Sequence, residues 1–331
     1  MGNSLLDIQP HKVSRDLRGY SVFFYGQPKS GKTTIASKFP GALILAFEKG
    51  YNAIPGIMAK PLNTWSEFKK TLRELKDPAV QERFKTVVVD TADIAYSLCE
   101  KWVCQQESTD KVDYETIGDI PYGKGYKLAE KEFDESLRAI IQMDYGLVII
   151  SHEQDKTFTD ENGKDFNQIV PTLDARGRKI CERTCDIIGY AHQVGTEDGG
   201  TSTKLFLRQT PRFVAGSRFK YIVDSIDFTY ENLVQAIQDA IDKEAMEHNG
   251  QLVTDNASNL EKVSSESYDF NALMDEFQSI VSKLMETQSP TMAAKITKIV
   301  ETHLGKGKKV GDCTPANAAE LDLIVYDLKA L

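Results

Sequence analysis

The segment YSVFFYGQPKSGKTTIASKF, residues 20–39, carries the most specific structural signal in the chain. An apolar segment, Val22–Tyr25, runs into a glycine-bounded turn, and Thr33–Lys38 then continues without a helix-breaking residue. We therefore predict a buried strand, a loop and a helix in that order. The spacing Gly26-x-x-x-x-Gly31-Lys32-Thr33 meets the phosphate-loop pattern in full, and strand, loop and helix are the context that this pattern requires.

This loop predicts a triphosphate site. Its backbone N–H groups would point at phosphate oxygens, Lys32 would contact the β- and γ-phosphates, and the Thr33 hydroxyl would ligate Mg²⁺. The alternative is a glycine-rich turn that only happens to precede Lys-Thr. The predicted ATP-binding residues are Gly26, Gln27, Pro28, Lys29, Ser30, Gly31, Lys32, Thr33 and Thr34.

The composition sets limits on the class of protein. A chain of 331 residues with 41% hydrophobic content can form one large domain and a small one. No apolar run approaches the length of a membrane span, and the N-terminal segment lacks a secretory apolar centre, so we expect a cytoplasmic protein without a membrane partner. The net charge of −9 disfavours bulk electrostatic binding of nucleic acid.

Further apolar runs alternate with amphipathic, helix-like stretches. The runs lie at Ala42–Phe47, Phe84–Asp90 and Leu147–Ile150. This alternation predicts an α/β fold with a doubly wound, mainly parallel sheet, whose ligands bind at the carboxyl ends of the strands. Short β-like runs within 187–224 predict a terminal β-hairpin, and a helix at Glu231–Glu247 closes the domain.

The remaining chain divides by composition. We predict a domain over 1–247, a polar linker over 248–267 and a small helical C-terminal module over 268–331. The module carries a basic turn at Gly305–Lys309, which could contact phosphate or a partner protein.

Polar side chains follow three of the predicted strands. Asp90 is expected to support Mg²⁺ together with Thr33, although it could simply cap the next helix. Glu48 is the expected catalytic base, because Thr91 occupies the position after Asp90; an exposed turn glutamate is the alternative. His152 could contact the γ-phosphate or the attacking water, and a capping or core histidine is equally compatible with its position.

In this order of parts, residues 18–245 resemble the RecA-like ATPase superfamily, and most closely its phage branch of single-strand annealing recombinases and nucleotide-binding proteins. The resemblance implies an ATP hydrolase that binds single-stranded DNA, acts in the host cell cytoplasm, and forms homo-oligomers with ATP at subunit interfaces. It implies that the Ser151-His152 sensor links the γ-phosphate to a DNA-binding loop at Asp155–Arg178 and that Ser108–Tyr126 forms a second DNA-facing loop. Arg218, in Ala215-Gly216-Ser217-Arg218-Phe219, would reach the neighbouring subunit's ATP.

Basic and aromatic residues in these loops agree with binding of single-stranded nucleic acid, although solvated loop or helix faces would look the same. The predicted DNA-binding residues are Tyr122, Lys124, Tyr126, Arg176, Arg178 and Lys179.

The leading hypothesis is therefore an ATP- and Mg²⁺-dependent protein that promotes annealing or strand exchange in phage recombination or replication. A single-strand binding protein or replication protein would dock on the C-terminal module. The alternatives are a small-molecule P-loop kinase, and a helicase loader or scaffold whose ATP site only switches assembly.

Overall fold

The computed structural model describes residues 10, 12–247, 249–250, 253–254, 269–285, 290–329 and 331. These residues fall into two compact units, one within residues 9–259 and the other within residues 260–331. Most of the predicted linker, 248–267, lies outside the described residues, so its boundaries stay a prediction.

The first unit is built on β-strands. In the described residues they are β1 (Val13–Ser14), β2 (Ser21–Gly26), β3 (Ala42–Ala46), β4 (Ala59–Pro61), β5 (Thr86–Asp90), β6 (Gly146–Thr159), β7 (Asp165–Pro171), β8 (Ile187–Gly195), β9 (Thr201–Phe206), β10 (Gly216–Ser217), β11 (Ser225–Asp227) and β12 (Val253–Thr254).

Helices separate the strands of this unit. They are α1 (Lys32–Ala36), α2 (Trp65–Glu74), α3 (Pro78–Arg83), α4 (Ala92–Glu107), α5 (Lys124–Gln142), α6 (Ala175–Thr184) and α7 (Tyr230–Glu247).

The main sheet has the strand order β11-β9-β8-β2-β6-β5-β3-β4. Neighbouring strands from β8 to β4 are parallel, whereas β9 and β11 are antiparallel additions at one end. The phosphate-loop strand β2 therefore lies inside the sheet, between β8 and β6. Outside this sheet, β1 pairs in parallel with β12.

Both faces of the central strands are buried, which explains their unbroken apolar runs. Side chains alternate between the faces, so Phe24 and Val88 pack with α1 and α7, whereas Phe23 and Val89 pack with α2, α4, α5 and α6. This architecture confirms the predicted α/β fold, with its mainly parallel sheet and the β8–β9 hairpin.

Two segments differ from the sequence prediction. The polar loop predicted at Asp155–Arg178 is instead largely a β-hairpin, because β6 continues to Thr159 and pairs antiparallel with β7. Its mostly exposed residues lack the apolar alternation that reveals a strand. The β-like run 218–223, RFKYIV, forms no strand, and the Arg208 guanidinium instead donates to its carbonyl oxygens at Phe219, Lys220 and Ile222.

The second unit contains the helices α8 (Phe270–Met285), α9 (Pro290–Leu304) and α10 (Ala318–Lys329), as predicted for a helical module. Its core is formed by side chains from these helices and from the turn before α10, including Ile296, Val300, Leu321, Ile324 and Val310. Among the helices described in the two units, none has both the length and the hydropathy of a membrane span.

Candidate nucleotide site

The loop between β2 and α1 has the backbone that a phosphate loop needs. Gly26 lies beside β8 with φ of +152°, and a Cβ atom there would come within 2.1 Å of the Ala191 carbonyl oxygen. Gly31, with φ of +92°, precedes α1 in the left-handed region. Both positions therefore require glycine, which explains the fixed spacing of the motif.

Lys32 lies inside this loop. Its ammonium group donates to the carbonyl oxygens of Gly26 and Gln27 at 2.8 and 2.7 Å, and contacts the Ser30 hydroxyl at 3.3 Å. The residue is only 5% exposed, and this burial lowers the pKa of Lys32 to about 8. A phosphate group would replace these carbonyl partners with a full negative charge.

Thr33 and Asp90 form the candidate Mg²⁺ position. The Thr33 hydroxyl donates to Asp90 Oδ2 at 2.7 Å. Asp90 is 2% exposed, and burial raises the pKa of this carboxyl to about 6. Its second oxygen, Oδ1, is buried and has no hydrogen-bond partner among the described residues. A hydroxyl beside a carboxylate with a spare oxygen is a donor set that fits Mg²⁺.

Glu48 reaches the same rim. The backbone N–H groups of Phe47 and Glu48 donate to the Asp90 carbonyl oxygen at 2.7 and 3.3 Å, so the chain after β3 is held at the end of β5. A Cβ atom built on Gly50 would lie 3.3 Å from Glu48 Oε1 and 3.8 Å from the Thr33 hydroxyl oxygen. Glu48 and Thr33 therefore face the same small space.

His152 pairs with Glu48 across this space. Its Nε2 atom lies 3.4 Å from Glu48 Oε2, and each side chain is 29% exposed. This hydrogen bond lowers the pKa of Glu48 and raises the pKa of His152. The register of the strands brings the two side chains together. His152 pairs with Gly26, and Ile150 pairs with Asp90, so β6 ends beside both the phosphate loop and the end of β5.

Two acidic residues at this rim escaped the sequence prediction. Asp93 accepts a hydrogen bond from the Ser151 hydroxyl at 2.9 Å. The Oε2 atom of Glu153 is buried and has no hydrogen-bond partner within the described ranges, and both carboxylates favour the charged form of Lys32. Their position in the sequence could have identified them, because Asp93 lies three residues after Asp90 and Glu153 directly follows His152.

Arg218 lies near the amino-terminal ends of the parallel strands, whereas the nucleotide site lies at their carboxyl ends. Its guanidinium donates to Asp186 Oδ1 and to the Arg183 carbonyl oxygen, both at 3.0 Å. Asp186 also accepts from the backbone N–H of Ser21 at the start of β2. Because the phosphate loop follows the other end of β2, Arg218 and Lys32 of one chain do not share a site.

The predicted DNA-binding residues are partly held by acidic neighbours. Arg176 lies over the Tyr126 ring at 4.2 Å and forms an ion pair with Glu130 at 2.8 Å, which joins the two predicted clusters. Lys124 binds Glu107, and Arg178 lies 3.5 Å from Glu182. Tyr122 and Lys179 are exposed.

The β6–β7 hairpin presents a different aromatic surface. Phe158 and Phe166 are cross-strand neighbours whose rings stack at 5.9 Å between centroids. The Lys156 ammonium lies 5.6 Å from the Phe158 ring, and Phe166 is 40% exposed. This hairpin continues directly from the strand that carries Ser151 and His152.

One family model covers the part of the chain that carries this site. The sequence matches the AAA domain family (AAA_24) over residues 18–219. It is 31% identical over 337 positions to the SPbeta prophage-derived uncharacterized protein YorG of Bacillus subtilis (strain 168), covering 100% of this chain and 99% of that protein. A crystal structure of the RadB recombinase is similar over 65% of this chain and 90% of that chain, with 15% identity and a TM-score of 0.36.

The phosphate loop with Lys32 inside it and the contact between Thr33 and Asp90 define a P-loop NTPase. The chain belongs to the AAA_24 family of AAA domains.

We expect the substitution Glu48→Gln to lower the pKa of His152. The glutamate favours the imidazolium form, whereas burial and nearby Lys32 favour the neutral ring, so removing the carboxylate lets His152 lose its proton at lower pH. NMR titration of the His152 ring would measure this, with His152→Gln for assignment. Glu161→Gln, at the exposed turn of the hairpin, is the control, and an unchanged pKa in Glu48→Gln would contradict the pairing.

Proposed function

We propose that the protein is an ATP- and Mg²⁺-dependent ATPase that binds single-stranded DNA and promotes annealing or strand exchange in phage recombination or replication. One observation carries the DNA-binding part: β6 is a single strand whose buried half ends at the nucleotide site and whose exposed half bears the aromatic hairpin. The prophage origin of the Bacillus relative supports the phage setting.

In this proposal the loop residues 26–34 bind the triphosphate. Lys32 exchanges its carbonyl partners for phosphate oxygens, and Thr33 with Asp90 holds Mg²⁺, which neutralises phosphate charge when bound. Glu48 accepts a proton from the attacking water or orients it, because its carboxylate faces Thr33 and stays ionised beside His152. His152 turns from Glu48 toward the γ-phosphate and so reports its presence.

The hairpin is the proposed DNA-binding element. Stacked aromatic rings with a nearby ammonium bind single-stranded bases without sequence preference, because every base has a π-face. The Tyr126–Arg176 contact and the exposed Tyr122 and Lys179 would form a second contact surface. A local surface of this kind is compatible with the acidic net charge of the chain.

Oligomers would complete the ATP site. Arg218 lies at the amino-terminal ends of the strands, and Lys32 follows their carboxyl ends. Arg218 could therefore reach the ATP of a neighbouring subunit but not the ATP bound by the same chain. Its side chain is 65% exposed, so exchange of Asp186 for a phosphate oxygen needs little rearrangement. The exposed lysines of the basic turn, Lys306, Lys308 and Lys309, would bind a single-strand binding or replication protein.

The two alternative functions fit the geometry differently. A small-molecule kinase would use the basic run 176–183 as a closing lid, but these arginines belong to α6 and pair with Glu130, Glu182 and Asp134. A helicase loader or scaffold that uses ATP only to switch assembly would have the same ATP site. It differs from the proposed ATPase because its function would survive the loss of ATP turnover in Glu48→Gln.

We expect Glu48→Gln to reduce ATP turnover about 100-fold or more while nucleotide affinity stays within about twofold, because it removes only the general base. Turnover would be measured with and without single-stranded DNA, and Lys32→Ala should lose nucleotide binding as well. Glu161→Gln is the matched control. Full turnover by Glu48→Gln would refute the assigned base, and full DNA-dependent function without turnover would favour the assembly switch.

Arg218→Ala should lose turnover and keep nucleotide binding, because the arginine acts on a neighbour's ATP. Mixtures with wild-type protein should then show a non-linear dependence of turnover on the variant fraction. Arg138→Ala is the matched control, since Arg138 is also an exposed arginine paired with an aspartate. A linear dependence would exclude the shared site.

The double substitution Phe158→Ala with Phe166→Ala should weaken binding of single-stranded DNA about tenfold or more in the presence of ATP, since each stacked base contributes about 1–3 kcal/mol. Affinity would be measured by fluorescence anisotropy with a non-hydrolysable ATP analogue, with ADP and without nucleotide.

The matched control is Thr157→Ala with Asn167→Ala, a hydrogen-bonded cross-strand pair on the opposite face of the same hairpin. Equal loss in both double variants would indicate general damage to the hairpin. Equal wild-type affinity in all three nucleotide conditions would disprove the coupling between ATP and DNA.

A further inference from the structure

Asp93 joins three segments that are distant in sequence. It lies in the first turn of α4, three residues after Asp90, and its Oδ1 atom accepts hydrogen bonds from the hydroxyl groups of Ser151 and Thr172. Ser151 belongs to the sensor strand β6, and Thr172 follows the last residue of β7. One carboxylate oxygen therefore connects both strands of the hairpin, at its base, to the first turn of α4.

A second contact closes this arrangement. The Thr172 backbone N–H donates to the His152 carbonyl oxygen at 2.9 Å. Thr172 is thus bonded through its backbone to the sensor residue and through its side chain to Asp93. A displacement of either residue changes the hydrogen bonding of Thr172, and Thr172 directly follows Pro171, the last residue of β7.

The environment makes the Asp93 bonds sensitive to substitution. Ser151 is fully buried, and the Oδ2 atom of Asp93 is buried without a hydrogen-bond partner in the described part of the chain. Asp93 as a whole is half-buried and Thr172 is exposed, so the bond from Ser151 is the more shielded of the two. A hydrogen bond to a charged group is stronger than one to a neutral group, and a lost partner would leave the buried Ser151 hydroxyl desolvated. The contact between Ser151 and Asp93 therefore depends on the charge of this carboxylate.

We propose that Asp93 is a positioning residue that couples the nucleotide site to the β6–β7 hairpin. The inference rests on the proposed function, because it takes up the response of His152 to the γ-phosphate. When nucleotide is bound, Asp93 holds the Ser151 and Thr172 hydroxyl groups in fixed positions. A movement of His152 then displaces Thr172 at the end of β7, and the hairpin becomes more ordered. Asp93 touches neither nucleotide nor DNA in this role.

The test is hydrogen–deuterium exchange of the full chain, with and without Mg²⁺ and a non-hydrolysable ATP analogue, and without DNA. In wild-type protein, nucleotide should slow exchange within residues 153–171 about tenfold, the size of a typical coupling between two sites. In Asp93→Asn this slowing should disappear even at nucleotide concentrations that saturate the site, as checked by a separate measurement of nucleotide binding. Thr172→Val should behave like Asp93→Asn, and Thr172→Ser should restore the response.

Asp174→Asn is the matched control. Asp174 caps α6 by accepting from the Arg176 N–H at 2.8 Å, and asparagine caps a helix equally well, so this variant should keep the response. Should Asp93→Asn fold poorly, Thr172→Val and Thr172→Ser decide the result alone. A hairpin that responds normally in Asp93→Asn or Thr172→Val, or a wild-type hairpin that ignores nucleotide, would overturn the inference.

The absence of DNA separates this result from the proposed function. A protein that fails to bind DNA, yet shows an Asp93-dependent response of the hairpin, refutes DNA binding and leaves the role of Asp93 intact. A protein that binds DNA in a nucleotide-dependent way, with a hairpin response independent of Asp93, refutes only the role of Asp93.

Discussion

The hydrogen bond between Thr33 and Asp90 is the contact on which the site depends. It joins the phosphate loop after β2 to the end of β5, two places away in the sheet, at 2.7 Å. This contact exists because β2, β6 and β5 are parallel and in register, so that their carboxyl ends reach the same edge. The backbone bonds from Phe47 and Glu48 to Asp90 add the end of β3 to this edge.

Burial and charge act against each other at this edge. Burial lowers the pKa of Lys32 and raises the pKa of Asp90, and each shift favours a neutral group. The charges of Glu48, Asp93 and Glu153 favour the protonated lysine, which offsets part of its desolvation. A bound triphosphate with Mg²⁺ would supply opposite charge to both groups, and this electrostatic complementarity makes the site suited to that ligand.

β6 connects the nucleotide site with the exposed hairpin, because one half of the strand is buried in the sheet and the other half is exposed. Its first six residues are buried in the sheet and its remaining residues form one half of an exposed hairpin. Parallel strands flank the first part on both sides, whereas the second part pairs with β7 and is mostly exposed. A ligand at His152 therefore acts at the base of an exposed element, and such elements open more readily than a buried sheet.

The local features could be predicted from the amino-acid sequence alone: the strand–loop–helix order around Lys32, the apolar runs of the parallel strands, and the rim position of Glu48, Asp90 and His152. These follow from short-range spacing and from one general rule, that parallel strands end at a common edge. Only the tertiary structure placed Thr172 against Asp93, 79 residues away, and Arg176 over Tyr126. Contacts of this kind leave no periodic signal in the chain, because a hydroxyl or guanidinium group finds its partner through the packing of whole elements.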